Sequence, residues 1–108
     1  MNEDLHALFS TPQPPQPHER AALERLIAIA RTDSGQARSV ADFLLAWWSP
    51  GSCGGFDLTT LWGVDAAIAQ DMVTVFGLVA RVHVYPDTLG YAAGFDAVIR
   101  AWRPELKD

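Results

Sequence analysis

Cys53 is the single cysteine of the chain, and it stands in a loop, SPGSCGG, with three glycines close to it. A cysteine in such a loop acts as a nucleophile if a histidine and a carboxylate converge on its sulfur, and His83 and Asp57 are available for these roles. The glycines would allow backbone N–H groups to point at an oxyanion. These residues define one hypothesis, a small enzyme or a ligand-binding domain with a pocket at the glycine-rich loop 49–57.

The alternative interpretation gives this loop no chemistry. Cys53 has no flanking catalytic signature, and the glycines have neither the spacing nor the lysine of a phosphate-binding loop. The histidines His6, His18 and His83 are far apart, and no paired-cysteine spacing exists, so no metal site is predicted. The sequence therefore predicts no catalytic residue, no metal and no cofactor.

Tryptophans are concentrated around the same loop, in AWWSPGSCGGFDLTTLW, residues 46–62. In the first interpretation, Trp47 and Trp48 join Phe56 and Trp62 in a core wedge, with the loop folded back over the preceding helix. In the second, one tryptophan and Phe56 form a surface anchor, because aromatic residues carry much of the binding energy at interfaces. The predicted binding residues are Trp48, Phe56, Asp57 and Trp62, beside an exposed apolar patch on the order of several hundred Å².

The apolar residues recur at helical spacing over most of the chain. This pattern predicts helices at 18–32, 35–48, 64–82 and about 91–102, with a short helical turn at 58–62. Asp33 and Gln36 resemble a capping box for the second helix, and Asp57 is placed to cap the short turn. The segment VHVYP has no second strand-like run to pair with, so a sheet has no support. The predicted fold class is all-α, a compact bundle of four main helices plus one short helical turn.

Four prolines in residues 10–17, STPQPPQP, predict an extended spacer. We therefore divide the chain into a flexible N-terminal leader, residues 1–16, and a single helical domain, residues 17–108. Leu5, Leu8 and Phe9 would line one edge of a short helix in the leader. That edge either docks in a partner's groove or on its own domain, or the leader is a disordered tail.

Composition excludes several classes of protein. The chain is 49% hydrophobic and 19% charged, which is typical of a globular domain. Its net charge is −5 and its basic residues are scattered, so direct nucleic-acid binding is not expected. No apolar run reaches the length of a membrane span, and Glu3 and Asp4 stand where a signal peptide carries basic residues. With one cysteine, a disulfide framework is also absent, and we expect a cytoplasmic protein.

The segments ALERLIAIARTDSGQARSVADFLLAWW, CGGFDLTTLWGVDAAIAQDMVTVFGLVAR and YPDTLGYAAGFDAVIRAWRPEL span residues 21–106. Together they resemble an uncharacterised family of small bacterial domains found in proteobacteria and their mobile elements. The resemblance implies a stand-alone helical protein or an accessory domain, and it carries over no catalytic residue and no ligand.

The favoured function is a non-enzymatic interaction module, a small acidic helical adaptor or inhibitor that a mobile element could encode. Its partner would be another protein, and self-association as a homodimer is also considered. The enzyme or ligand-binding pocket at loop 49–57 remains the alternative.

Overall fold

The structure, a computed structural model, describes residues 11–107. Its α-helices are α1 (Pro17–Ala30), α2 (Gly35–Trp48), α3 (Pro50–Cys53), α4 (Ala66–Val82) and α5 (Ala92–Trp102), with 3₁₀ helices at Leu58–Gly63 and Pro104–Leu106. No strand occurs between residues 11 and 107. The predicted all-α class is confirmed, with four long helices and the short turn at the predicted place. The apolar edge predicted from Leu5, Leu8 and Phe9 lies outside the described residues.

Helix α1 begins where proline suits the first turn of a helix. Pro17 is the first helical residue, and the Glu19 side chain accepts a hydrogen bond from the backbone N–H of Gln16 at 2.8 Å. This bond satisfies a donor that the start of a helix leaves free. One stripe of α1 is buried in the core: Ala22, Leu23, Leu26, Ile27 and Ala30.

The capping box predicted from Asp33 and Gln36 is wrong. Ser34 is the N-cap of α2, and its hydroxyl accepts a hydrogen bond from the Ala37 N–H at 3.0 Å. The Gln36 side chain instead accepts from the Asp65 N–H at 2.6 Å and donates to the Asp65 carboxylate at 3.2 Å. Because Asp65 immediately precedes α4, Gln36 ties the start of α2 to the start of α4.

The segment between α2 and the first 3₁₀ helix is more ordered than a predicted open loop. Pro50 begins the single turn α3, in which Cys53 N–H donates to the Ser49 carbonyl at 2.7 Å. Gly54 then has φ 97°, a conformation that side chains with a Cβ rarely adopt, and it ends the turn. The chain can reverse here and return toward α2.

The core lies between α1, α2, α4 and α5. Helix α1 packs against both α2 and α4, and α5 packs mainly against α2. Two indoles close the edges of this core: Trp47 Nε1 donates to the Val84 carbonyl at 3.2 Å, and Trp102 Nε1 donates to the Ala30 carbonyl at 2.6 Å. The N–H groups of these partly buried indoles therefore have hydrogen-bond partners, as tryptophan packed against a core requires.

Helix α4 is covered along one side only. It buries Met72, Val75, Leu78 and Val82, while Val73 and Phe76 are exposed. Phe76 shares the helical spacing of the apolar residues in this helix, but it is 61% exposed. A helix that is apolar on nearly all sides normally lies inside a protein, so the exposed side of α4 is a candidate for contact with another molecule.

Candidate interaction surface

Phe56 brings the segment after α3 back onto α2. Its ring meets the ring of Phe43 edge to face, with centroids 5.3 Å apart. Next to this pair lies a hollow of about 290 Å³ between α2, the returning segment and α4. Its walls are apolar and consist of Phe43, Ala46, Trp47, Phe56, Leu58, Phe76 and Val79.

A second apolar hollow, of about 190 Å³, adjoins the first one. Both hollows share four walls, Phe43, Phe56, Leu58 and Phe76. Leu61, Met72 and Val73 complete the second hollow. We name the whole area the α4 surface, defined by Phe43, Phe56, Leu58, Leu61, Val73, Phe76 and Val79.

Several large apolar side chains on and beside the α4 surface are exposed to solvent. Leu58 is 62% exposed, Val73 58% and Phe76 61%. Trp62, on the same 3₁₀ helix as Leu58 and Leu61, is 84% exposed. Single exposed apolar residues are ordinary, but a contiguous group of them makes this surface a candidate for binding another molecule.

Asp57 fixes the 3₁₀ helix that carries Leu58 and Leu61. Its carboxylate accepts hydrogen bonds from the Thr59 hydroxyl at 2.8 Å and from the Thr59 N–H at 2.9 Å. These bonds hold the pKa of Asp57 below its usual value. The predicted capping role of Asp57 is confirmed, and the residue lies beside the apolar surface.

The outward side of α4 carries no charge between Asp71 and Arg81. Both of these end residues are paired inside the molecule, Asp71 with Arg25 at 2.9 Å and Arg81 with the buried Glu19. Gly77 lies in the middle of the uncharged stretch, and a Cβ added there would meet nothing within 4 Å. The fold itself therefore gives no packing reason for a glycine in a helix interior, where it costs about 1 kcal/mol relative to alanine.

The predicted binding residues do not form one cluster. Phe56 is a wall of the α4 surface, and Asp57 is its neighbour in the chain. Trp48 instead packs against Tyr85 and Phe95, with ring centroids 6.4 Å away in each case. It lines two other hollows, which also include Ile99 and Lys107. A binding role for Trp48 stays a prediction and would belong to a different part of the molecule.

Sequence reasoning missed Phe43, Leu58, Val73 and Phe76 as surface residues. The buried face of a helix is lined by apolar residues. Apolar residues that lie one position outside this face are of the same types, so the sequence does not show which of them are exposed. The signal in the sequence was the uncharged stretch Met72–Ala80, which is longer than one buried stripe requires.

The three residues of the enzyme hypothesis each contact other neighbours. Cys53 is only 6% exposed, and burial raises the pKa of its thiol, which makes the nucleophilic thiolate scarcer. His83 Nε2 lies 3.2 Å from the Ala80 carbonyl oxygen, and Asp57 is bound to Thr59. The geometry supplies no argument for cysteine chemistry at this loop.

Residues 11–107 hold no group of three or more His, Cys, Asp or Glu side chains arranged to bind a metal ion. Within the same residues, no helix has both the length and the apolar character needed to cross a membrane.

A model of a protein family described as a family of unknown function (DUF7673) matches residues 20–103. The chain belongs to the DUF7673 family. The DUF7673 match runs from α1 to the end of α5, so it includes every residue of the α4 surface. The match confirms the predicted resemblance to an uncharacterised domain family. No curated protein and no solved structure matches the chain.

Proposed function

We propose that this protein is a non-enzymatic interaction module whose α4 surface binds an apolar or amphipathic helix of a protein partner. The observation that carries the proposal is the exposure of Leu58, Val73 and Phe76 around two adjoining apolar hollows. Helix-in-groove recognition places apolar side chains from successive turns of one helix into such hollows.

The charge of the surface specifies the partner's chemistry. Because α4 has no charged side chain between Asp71 and Arg81, a charged group placed against this face would lose water without gaining an ion pair. The contacting face of the partner is therefore apolar or small and uncharged. Its anchors are leucine, phenylalanine or methionine side chains, since aromatic and aliphatic residues dominate the centres of interfaces.

The biological setting forms part of the same proposal. The resemblance to small bacterial domains supports action in the bacterial cytoplasm, as an adaptor or inhibitor encoded by a mobile element. The single, buried Cys53 is compatible with a reducing compartment.

A selection from a library of displayed helical peptides tests the function. The protein is immobilised sparsely, and peptides are selected against the wild type, Phe76→Asp and Leu106→Asp. Leu106 is an exposed leucine outside the α4 surface, so its variant is the matched control. We expect selected peptides to share apolar residues at helical spacing and to bind the control, with affinity for Phe76→Asp reduced on the order of tenfold or more.

Two results would argue against the proposal. One is the absence of any enriched helical peptide. The other is a set of peptides that bind Phe76→Asp as tightly as the wild type, which would place the binding site elsewhere.

A further inference from the structure

We infer that residues 1–10 of this chain bind the α4 surface of the same molecule and compete there with the partner helix. The inference rests on the proposed function and adds a form of regulation, because a partner must displace this segment before it binds. Residues 1–10 precede the described part of the chain. Two properties select them over other occupants of the surface, namely their point of attachment and their sequence.

The described chain begins beside the end of α4. The Gln13 N–H donates a hydrogen bond to the Arg81 carbonyl at 2.9 Å, and Thr11 before it is exposed. At a rise of about 1.5 Å per residue, Val79 lies about 3 Å and Val73 about 12 Å from Arg81 along the helix axis. Residues 1–10 therefore join the described chain close to the surface.

The segment is long enough to cover the surface. Ten residues span about 33 Å when extended and about 15 Å as an α-helix. Pro12, Pro14 and Pro15 stiffen the connection to α1, which keeps its junction with residues 1–10 beside α4. A short tether gives an effective concentration on the order of millimolar, and a free partner helix must outcompete it.

The sequence of the segment has the chemistry that the surface requires. Leu5, Leu8 and Phe9 have the i, i+3, i+4 spacing that places three apolar side chains on one edge of a helix. The acidic residues of the segment precede Leu5, and no Asp, Glu, Lys or Arg occurs in residues 5–10. The apolar edge would thus bring no charge to the uncharged side of α4, where a charge would lose water without gaining an ion pair.

Docking would remove two unfavourable exposures at once. A helix of about ten residues is marginal in water by itself, so the apolar edge of residues 1–10 needs a surface to pack on. Leu58, Val73 and Phe76 are exposed around two adjoining apolar hollows of about 290 and 190 Å³. Contact between the edge and the hollows takes apolar area of both out of water, which is the main favourable term in association.

A photo-reactive amino acid at Val73 of the full chain identifies the occupant. Isotope-labelled and unlabelled protein are mixed in equal amounts, irradiated in dilute solution and digested, and linked peptides are read by mass spectrometry. We expect attachment to residues 1–10 in peptide pairs of a single isotope type, which come from one molecule. Pairs of mixed isotope type, attachment only to other segments, or no attachment would overturn the inference.

Competition shows whether the segment controls the site. Peptides selected on the α4 surface are titrated into the wild type and two full-chain variants, Phe9→Asp and Ala7→Asp. Ala7 is the matched control, because at helical spacing it lies opposite the apolar edge and receives the same charge. We expect Phe9→Asp to bind the peptides on the order of tenfold more tightly than the other two proteins, since an occupied site lowers the apparent affinity in proportion to its free fraction. Equal affinities would overturn the inference.

The two tests separate this inference from the proposed function. The cross-link uses no peptide, so it decides on residues 1–10 even if no helical peptide is selected. Peptides that bind the α4 surface while residues 1–10 do not attach to it would leave the proposed function in place.

Discussion

Two glycines of this chain occupy helices but have opposite surroundings. A Cβ at Gly77 would meet nothing within 4 Å, whereas a Cβ at Gly94 would lie 3.1 Å from Cγ2 of Ile27. We expect Gly77→Ala to raise the free energy of unfolding of the dilute monomer by about 0.5–1 kcal/mol, because alanine loses less backbone entropy on folding. Chemical denaturation measures the change.

Gly94→Ala is the matched comparison for this prediction. The same propensity gain should be offset there, because Ile27 must shift to admit the new methyl group. If Gly94→Ala stabilises as much as Gly77→Ala, the open space at Gly77 is not what decides the effect.

Asp57 makes the acid sensitivity of the 3₁₀ helix predictable. Hydrogen bonds from Thr59 lower its pKa in the folded state, so the carboxylate stabilises the fold at neutral pH and this contribution is lost as the pH falls through the folded pKa. We expect NMR titration to give Asp57 a lower pKa than aspartate in an unfolded peptide. Thr59→Val, which removes the hydroxyl donor, should raise that pKa. An unchanged value in Thr59→Val would show that the hydroxyl bond does not hold the carboxylate.

Residue roles were predictable where they depend on near neighbours in the chain. The cap at Asp57 required only the aspartate and the short helical run after it. The exposure of Phe76 and the pairing of Gln36 with Asp65 were not predictable, because each depends on where another helix lies. Sequence periodicity indicates which residues share a helical face, and it does not say whether that face is covered.

One ion pair connects the beginning of α1 to the end of α4. Glu19 is almost fully buried, and both of its carboxylate oxygens contact Arg81 Nη2. The same end of α4 holds the segment before α1, since the Gln13 N–H donates to the Arg81 carbonyl at 2.9 Å. This arrangement fixes the C-terminal half of α4, which carries Phe76 and Val79.

Breaking this pair should be costly. We expect Glu19→Gln to lower the free energy of unfolding by about 3 kcal/mol, because Arg81, whose side chain is only 14% exposed, is left without its counter-charge. Denaturant unfolding followed by circular dichroism measures the loss.

The control is Arg100→Gln, which removes the exposed pair with Asp96 on α5 and should cost about 0.5 kcal/mol or less. A similar cost for both variants would mean that the burial of Glu19 adds nothing to the pair.

Helix positions were predicted to within a few residues because caps, prolines and apolar spacing are local signals. The predicted 64–82 became Ala66–Val82, and 18–32 became Pro17–Ala30. The single turn α3 was not predicted, since PGSC has no apolar periodicity and forms its turn through backbone bonds to Ser49 and Pro50. The packing of α4 on α1 was also not predictable from the sequence, because α4 is apolar on nearly all sides and the pattern does not say which side is covered.

At the scale of the whole molecule, acidity should oppose association. Each copy carries a net charge of −5, so two copies repel each other at neutral pH, while the uncharged α4 surface attracts. We expect added salt to screen the repulsion and to strengthen any self-association through this surface between about 0.05 and 0.5 M NaCl. Sedimentation at several salt concentrations measures the trend.

The opposite trend would contradict this account of the surface. If added salt weakens self-association, ion pairs rather than apolar side chains hold two copies together, and charged residues away from α4 would have to form the contact.

The fold places one indole in a very different environment from the others. Trp47 and Trp102 donate hydrogen bonds inside the molecule, and Trp48 packs on Phe95, but Trp62 is 84% exposed beside the α4 surface. Fluorescence emission from Trp62 should therefore be red-shifted and readily quenched by acrylamide. Occupancy of the surface would shift this emission to the blue, which gives the protein an intrinsic optical reporter that needs no dye.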